Sequence, residues 1–422
     1  MLDHIRPQYA KRFRCIGGEC EDNCCHGWEV TVDKATYKKY QAIPALRKIL
    51  AQSFALTNNP DDNKYAVIKH TASTNCPMLL EDGLCRIHKE FGADYLPTTC
   101  ATYPRCSRRV DGLLEQPLQL SCPEAARLVL LEPQLLTPRR GFTESSRYAS
   151  FLTKKPENAA AQVNASRYYW EGREFSLMLV QDRSYPLWQR LFLLGMFCKR
   201  LDAVIAEHRA ASIPNLLREY AEIIRRGDLR SSMDGIPARP AAQLKMVLDV
   251  VTRRLAPQDL RITRFRQCLR DFLRGTGHED SAQKLDAAES QVTLALTLET
   301  CTPHYLEAYE RYYAPFMEKH PFLIENYLIN HIIRMGFPFR SKTLGQIVSP
   351  LQQFVLMCLE YAVIKGLLIG MSGHYRDAFA PEHVVKLIQV VTKSIEHSET
   401  LLPALNWQGL ADPNSIAALL KN

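Results

Sequence analysis

Closely spaced cysteines occur near the beginning of the chain, in the stretch Cys15-Ile16-Gly17-Gly18-Glu19-Cys20-Glu21-Asp22-Asn23-Cys24-Cys25. The cysteines are interleaved with glycine, aspartate and asparagine, residues that are typical of tight turns. Tight loops can direct several sulfurs at one centre, which is the arrangement that a soft metal requires. The stretch therefore predicts a metal-binding domain.

Nine of the thirteen cysteines fall between Cys15 and Cys122, and the other four are scattered through the later chain. A cubane iron–sulfur cluster takes four cysteine ligands, so one cluster cannot use all nine. Adjacent side chains diverge, and we expect only one of Cys24 and Cys25 to bind a given centre. Cys106 is a further candidate. The eight main candidate ligands are Cys15, Cys20, Cys24, Cys25, Cys76, Cys85, Cys100 and Cys122.

The composition, with 46% apolar and 23% charged residues, is that of a soluble globular protein. The net charge of +8 is mildly basic, but no cluster of basic and aromatic residues predicts nucleic-acid binding. Residues 1–14 lack the apolar core of a secretion signal. The longest apolar run, residues 354–371, contains Glu360 and Lys365, which predicts a buried helix and no membrane insertion. We expect a cytoplasmic protein, whose reducing surroundings favour metal or redox chemistry over disulfides.

The pattern predicts a mainly α fold, in which a cysteine-rich metal-binding domain with short strands precedes an all-α domain. We place the first domain at residues 1–132, a linker or exposed loop at 133–169, and the helical domain at 170–422. In the first domain, alternation over 28–32 predicts a strand, and Pro123 predicts a helix start. Apolar residues at three- and four-residue spacing predict a helix over 186–209. Further helices are predicted over 212–226, 240–255, 258–274, 281–298, 302–318, 321–335, 350–371 and 381–397.

Three interpretations of the cysteines remain open. An iron–sulfur centre, such as a [4Fe-4S] cluster, tolerates irregular spacing. Structural zinc is the alternative metal, although zinc sites favour paired C-x2-C knuckles and none occurs. Disulfides or buried free thiols are the third interpretation.

The usual signatures of nucleotide and radical chemistry are missing. The Cys-x3-Cys-x2-Cys spacing of radical enzymes that use S-adenosylmethionine would need a cysteine at the position of Gly27. No P-loop, H-E-x-x-H helix, G-x-S-x-G elbow or Rossmann-type glycine turn is present. A small-molecule ligand must therefore bind in another kind of fold.

Two groups of motifs resemble those of a known family. Its cysteine-rich half is matched by Phe13-x-Cys15, Cys76-Pro77-x-Leu79, Cys85-x-Ile87-His88, Cys100-x3-Pro104-Arg105 and Cys122-Pro123-Glu124-Ala125-Ala126-Arg127. Its second signature is matched by Tyr313-x-Pro315 and Glu325-Asn326-Tyr327-Leu328-x-Asn330-x3-Arg334-x2-Phe337-Pro338. Together the motifs span most of the chain and resemble the bacterial flagellin lysine N-methylases.

The resemblance implies an S-adenosylmethionine-dependent protein-lysine N-methyltransferase that acts on flagellin and is associated with an iron–sulfur cluster. A cluster with one open iron could hold the amino and carboxylate groups of S-adenosylmethionine, or it could simply stabilise the domain. The alternative function is a non-catalytic metal-binding or redox-sensing module whose helical half binds a partner.

The second signature also supplies candidate site residues. Asn326, Asn330 and Arg334 repeat every four residues and share a helix face, so we assign them to cofactor binding. Glu325 could contact an amine, and Tyr313 belongs to a tyrosine stripe that could cage a methylammonium; we assign both to catalysis. Hydrogen bonds between helices and ordinary core packing are the alternative roles for these side chains.

Overall fold

The computed structural model describes residues 4–5, 7–22, 24–25, 30–69, 76–110, 113–136, 164–253, 263–287, 296–339, 342–343, 346–396 and 412–421. Helices dominate these residues, so the prediction of a mainly α protein is confirmed.

The first third of the chain combines short strands with short helices. Its strands are β1 (His4–Ile5), β2 (Thr31–Val32), β3 (Phe54–Leu56), β4 (Ala66–Ile68), β5 (Arg108–Val110) and β6 (Leu113–Glu115). Its helices are α1 (Gln8–Arg12), α2 (Lys34–Ala42), α3 (Pro44–Ser53), α4 (Arg86–Phe91), α5 (Thr98–Thr102) and α6 (Pro123–Leu130).

These strands form two small sheets. One sheet has the order β2-β4-β3 with antiparallel pairing, in which Thr31 lies opposite Val67. The other has the order β1-β6-β5, where β1 is parallel to β6 and β5 is antiparallel to it. The predicted strand at 28–32 is confirmed over β2, while its residues 28–29 lie outside the described residues.

In the later part of the chain the described residues are mainly helical, apart from one two-stranded ribbon, β7 (Lys342–Thr343) with β8 (Gln346–Ile347). A π-helical segment, Tyr309–Tyr313, separates two of the helices. The helices are α7 (Tyr169–Val180), α8 (Leu187–Ala206), α9 (Ile213–Arg226), α10 (Arg230–Asp234), α11 (Pro240–Arg253), α12 (Thr263–Gly275), α13 (Glu279–Ala287), α14 (Leu298–Ala308), α15 (Ala314–Lys319), α16 (Phe322–Met335), α17 (Pro350–Tyr375), α18 (Pro381–Glu396) and α19 (Pro413–Leu420).

Most predicted helices are present, with two differences in the described residues. The helix predicted over 302–318 begins earlier, at Leu298, and contains the π-helical segment. Helix α7 begins at Tyr169, after a 3-10 turn at Ala165–Tyr168 that occupies the end of the predicted linker. Residues 137–163 of that linker, and the helix predictions over 254–262 and 288–295, lie outside the described residues.

Helix α17 is the central helix of the larger core. Ser349 accepts a hydrogen bond from Gln352 N while the Gln352 side chain bonds to Ser349 N, a capping box that fixes the helix start. Gly275 at the end of α12 permits close packing, since a Cβ there would lie 1.7 Å from Gly370 O. Within the described residues, Pro350–Ala378 is the one helical segment long and apolar enough to cross a membrane, and 89% of its apolar window is buried. The prediction of a buried helix is confirmed.

Two hydrophobic clusters divide the described chain. The smaller one lies within residues 30–100 and includes Val32, Tyr40 and Ile87. The larger one contains the helical part together with residues 9–13 and 118–135. Residues just before the first cysteine stretch thus pack with the helices, whereas Val30 and Val32, which follow it, belong to the smaller cluster.

Candidate functional site

The first cysteine stretch is joined to Cys76 by direct contacts. Cys76 N donates to Cys25 O at 2.8 Å, and the Cys25 thiol hydrogen-bonds with Cys24 and Cys76. These bonds raise the pKa of Cys25, whereas they lower the pKa of Cys76 and lower that of Cys24 to about 7. Hydrogen bonds through Cys25 therefore link three thiols from two distant segments.

Two further cysteines approach this group. Cys85 caps the start of α4 and Cys100 lies in α5. Burial raises the pKa of both thiols, and negative charge on Cys24 and Cys76 raises each further. Because such charge effects weaken with distance, they indicate that these sulfurs lie near one another.

The remaining candidate ligands lie at the edge of this group or away from it. Burial raises the pKa of Cys122 to about 12, with smaller effects from Cys20 and Cys24. Cys15 is exposed at the surface. The sulfur of Cys106 is 3.9 Å from Gln119 Oε1.

The donor set suits a thiolate-bound centre, since all thirteen cysteines are described and each is a thiol without a disulfide bond. Sulfur ligands fit either an iron–sulfur cluster or structural zinc. Among the described side chains, no group of three or more His, Cys, Asp or Glu is already arranged to hold a metal ion. The eight-residue ligand set therefore stays a prediction.

A buried ion pair anchors the cysteine stretch to α18. Lys393 Nζ lies 2.6 Å from Asp22 Oδ1, with side-chain exposures of 4% and 9%. Gln389 Nε2 donates to Asp22 Oδ2 at 2.7 Å and to Ser121 O at 2.9 Å. The sequence analysis missed these residues, although Gln389 and Lys393 are polar positions four residues apart on an apolar helix.

Glu325 lies between two arginines. Arg190 Nη1 donates to Glu325 Oε1 at 2.8 Å, and Arg183 Nη2 donates to Oε2 at 2.7 Å. Glu325 and Arg190 are buried, whereas the Arg183 side chain is 53% exposed. The carboxylate is thus held in a charged cluster that reaches the surface at Arg183, and its predicted contact with an amine stays a prediction.

Asn326 and Asn330 connect α16 to the first third of the chain. Asn326 Nδ2 donates to Val129 O at 3.0 Å and to Glu132 O at 2.7 Å. Asn330 Nδ2 donates to Leu118 O at 3.0 Å. These contacts are those of the alternative role, hydrogen bonding between structural elements; the assignment to cofactor binding stays a prediction.

Arg334 lies in the last turn of α16, and Tyr313 lies in the π-helical segment. The backbone oxygen of Arg334 accepts a hydrogen bond from Arg108 Nη2. Tyr313 ends the π-helical segment, where it is 4% exposed and hydrogen-bonds with Tyr361. Burial raises the pKa of Tyr313 well above its usual value. The structure therefore does not bring Tyr313 and Arg334 together with the cysteines into one contact group among the described residues.

A second polar cluster on α16 was also missed by the sequence analysis. Tyr327 OH donates to Glu360 Oε2 at 3.2 Å, and His331 Nδ1 lies 3.4 Å from the same oxygen. Burial, with a contribution from Arg334, lowers the pKa of His331 to about 3, so the imidazole is neutral at pH 7. The four-residue spacing of Tyr327 and His331 was the available signal.

These features define a mainly α protein in which a thiol-rich segment is anchored to a helical half through buried polar contacts. Residues 173–420 match the FliB lysine N-methylase C-terminal domain family. Because that match covers more than half of the chain, the chain belongs to this family. The family membership predicted from the two groups of motifs is confirmed.

The chain is also similar to curated proteins of Salmonella. It is 25% identical over 398 residues to a protein of Salmonella typhimurium named lysine-N-methylase, covering 93% of this chain and 91% of that one. A lysine-N-methylase of Salmonella choleraesuis is 25% identical over 399 residues, with the same coverage of 93% and 91%. The flagellar biosynthetic protein FliU of Salmonella muenchen is 36% identical over 144 residues, covering 33% of this chain and 85% of FliU. No solved structure matches the chain.

Proposed function

We propose that the protein transfers methyl groups from S-adenosylmethionine to the ε-amino groups of lysines in flagellin. The observation that carries the proposal is the likeness to relatives named lysine-N-methylase, which extends over 93% of this chain. Both halves of the chain contribute to that likeness, so it favours the enzyme over an isolated metal-binding module.

Flagellin is the substrate we infer from the flagellar names among the relatives, FliB and FliU. Reaction in the cytoplasm is consistent with cysteines that are all thiols. It is also consistent with the burial of the long apolar helix α17 in the protein core.

The transfer requires a neutral lysine amine in line with the methyl group. A dry pocket favours the neutral amine because burial disfavours the ammonium form. Tyr313 and Tyr361 supply aromatic surface in the helical core, and aromatic faces attract methylated ammonium groups. Glu325, held by Arg190, supplies a fixed carboxylate that we assign to orienting the amine.

We further propose that Cys24, Cys76, Cys85 and Cys100 bind a [4Fe-4S] cluster. The support is that Cys24 and Cys76 raise the pKa of Cys85 and of Cys100, a charge effect that weakens with distance. Bound there, a cluster would cross-link the cysteine segments and could offer an iron site to a ligand. Zinc is the alternative metal, and it would act only as a structural cross-link.

The substrate proposal is tested with S-adenosylmethionine that carries a labelled methyl group. We expect flagellin to acquire label in the presence of the protein, and unrelated lysine-rich proteins to acquire much less. Equal labelling of flagellin and the unrelated proteins would contradict the flagellin assignment.

The cluster proposal is tested on anaerobically purified variants. We expect Cys85→Ser to lose iron and sulfide, whereas Cys198→Ser keeps both. Cys198 is the matched control, because it is a fully buried thiol in the helical core away from the candidate ligands. A full complement of iron in Cys85→Ser would overturn the proposed ligand set. Stoichiometric zinc in a colourless wild-type protein would show that the bound metal is zinc and not an iron–sulfur cluster.

A further inference from the structure

Two buried charged side chains and one partly buried one meet where the β1-β6-β5 sheet contacts α7 and α16. They are Arg108 from β5, Glu115 from β6 and Arg173 from α7, with side-chain exposures of 21%, 1% and 10%. We call these three residues the junction cluster. The function proposed above does not use them.

Part of the junction cluster is well bonded. Arg173 Nη1 donates to Glu115 Oε1 at 2.5 Å and to Tyr169 OH at 2.9 Å. Arg108 Nη2 donates to the carbonyl oxygens of Ile333 and Arg334 at the end of α16. These contacts fix the orientation of both guanidinium groups and of the carboxylate.

One donor and one acceptor in the cluster remain unused. Arg108 Nε and Glu115 Oε2 are buried without a hydrogen-bond partner among the described residues. They face each other at 4.0 Å, which is too far for a hydrogen bond. Buried polar atoms are nearly always satisfied, so an unused donor next to an unused acceptor indicates a missing group.

The cluster also has unbalanced charge. The described residues bring two guanidinium groups and one carboxylate to it, and the titratable side chains of Cys106, Tyr9 and Tyr169 also face it. The nearby phenols of Tyr9 and Tyr169 are neutral, because burial raises the pKa of each. The partial negative charge at the end of α16 is about half a unit and offsets only part of the excess. A bridging water would satisfy the hydrogen bonds but would leave this positive charge in place.

A ligand that satisfies the cluster must bring an anionic acceptor for Arg108 Nε and a donor for Glu115 Oε2. An α-amino-acid group has both, since its carboxylate and ammonium stand on one carbon. We propose that the junction cluster binds the α-amino-acid end of S-adenosylmethionine, with Arg108 toward the carboxylate and Glu115 toward the ammonium. This inference rests on the proposed use of S-adenosylmethionine.

The position of the cluster also connects it to α16. Arg108 bonds to the end of that helix, and Tyr9 OH donates to Asn330 Oδ1 at 2.9 Å in the same junction. A ligand held there would contact the end of the helix that carries Glu325.

The test is isothermal titration of the full-length protein with S-adenosylmethionine and with its decarboxylated analogue, which lacks only the carboxylate. We expect the wild-type protein to bind the analogue at least tenfold more weakly. We expect Arg108→Met to bind both ligands with the same weak affinity, because the group that the carboxylate contacts is gone. Glu115→Gln should weaken the binding of both ligands, since each ligand keeps the ammonium that Glu115 contacts in this proposal.

Arg209→Gln is the matched control, because Arg209 is a half-exposed surface arginine paired with Glu207. It should bind both ligands as the wild-type protein does. If Arg108→Met fails to fold, Glu115→Gln carries the test, because it should bind S-adenosylmethionine more weakly than the wild-type protein does.

Equal affinity of the wild-type protein for the two ligands would overturn the junction site and leave the methylase proposal intact. Unchanged binding of S-adenosylmethionine by Glu115→Gln and Arg108→Met would also overturn the junction site and leave the methylase proposal intact. A bridging water would then be the group that satisfies Arg108 Nε and Glu115 Oε2. Absence of any binding of S-adenosylmethionine to the wild-type protein would overturn both the proposed function and this inference.

Discussion

Lys393 and Asp22 form a buried ion pair across 371 residues of sequence, with Lys393 Nζ 2.6 Å from Asp22 Oδ1. Asp22 stands between Cys20 and Cys24, and positive charge on Lys393 contributes to lowering the pKa of Cys24. The pair therefore fixes the first cysteine stretch to α18 and also acts on one of its thiols.

We predict that Lys393→Met destabilises the cysteine stretch by about 3–5 kcal/mol, because it leaves a buried carboxylate without its cation. Hydrogen exchange of the amides in residues 17–22 measures this local stability. The control is Lys199→Met. The Lys199 side chain is 55% exposed and that of its partner Asp412 is 44% exposed, and an exposed pair of this kind contributes about 0–1 kcal/mol. Equal, small effects of the two substitutions would contradict the anchoring role.

The two arginines on Glu325 should differ strongly in their effect on stability. Arg190 is 6% exposed, so Arg190→Ala should destabilise the protein by about 3–5 kcal/mol by leaving the buried carboxylate short of a partner. Arg183 is 53% exposed, so Arg183→Ala should cost about 1 kcal/mol or less. Thermal unfolding measures which of the two variants loses more stability. A larger loss of stability for Arg183→Ala would be inconsistent with the observed burial.

Substitution of Asn326 distinguishes its structural role from its predicted role in cofactor binding. Its amide donates to the carbonyls of Val129 and Glu132, so Asn326→Ala should cost about 2 kcal/mol or more by leaving buried acceptors unsatisfied. If the structural role is the only one, the affinity for S-adenosylmethionine should stay as in the wild-type protein. Weaker binding by a variant that is fully folded in circular dichroism would support the cofactor role instead.

The burial of Lys365 predicts that the stability of the protein depends on pH. It is fully buried in α17, where Nζ donates to Leu420 O at 2.7 Å, and burial lowers its pKa to about 7 from an ordinary value of 10.5. Between these two values the unfolded chain binds a proton that the folded chain does not, so stability rises with pH. The contribution is at most about 1.4 kcal/mol per pH unit.

The measurement compares denaturant unfolding of the wild-type protein and Lys365→Met between about pH 7 and 8.5, a range in which the folded and unfolded chains differ in the charge of Lys365. Other groups titrate equally in both proteins, so the difference between the two curves isolates Lys365. We expect the free energy of unfolding of the wild-type protein to increase relative to that of Lys365→Met as the pH rises. A constant difference would show that Lys365 keeps its charge in the folded protein.

The helical half was predictable because apolar residues recur at helical spacing over long segments. Helix α8 follows this pattern, and most of its apolar positions are buried. Helix α19 was not predicted, since its eight residues are too short to show periodicity. Strands β3 and β4 have three residues each, so their pairing depends on the smaller core and not on a local pattern.

The candidate site was predictable only in part. The spacing of Asn326, Asn330 and Arg334 correctly indicated a shared polar stripe on α16, but a stripe does not reveal what it faces. Asn326 and Asn330 face carbonyl oxygens that lie about two hundred residues earlier in the sequence. Likewise, cysteine spacing could not show that Cys100 would feel the charge of Cys24 and Cys76, or that Cys106 would contact Gln119.

The junction cluster had no sequence signal of this kind. Arg108, Glu115 and Arg173 come from two strands and a helix, and each is an ordinary charged residue in its own segment. Only the packing of the sheet against α7 and α16 makes them a buried group with an unused donor and acceptor.

The most direct measurement is tandem mass spectrometry of flagellin after incubation with the anaerobically purified protein and S-adenosylmethionine bearing a deuterated methyl group. Lysine N-methylation predicts deuterated methyl groups on ε-amino groups of flagellin lysines, and none when the protein is left out. Flagellin whose lysines stay unlabelled, with protein that binds S-adenosylmethionine and holds its metal, would contradict the proposed function.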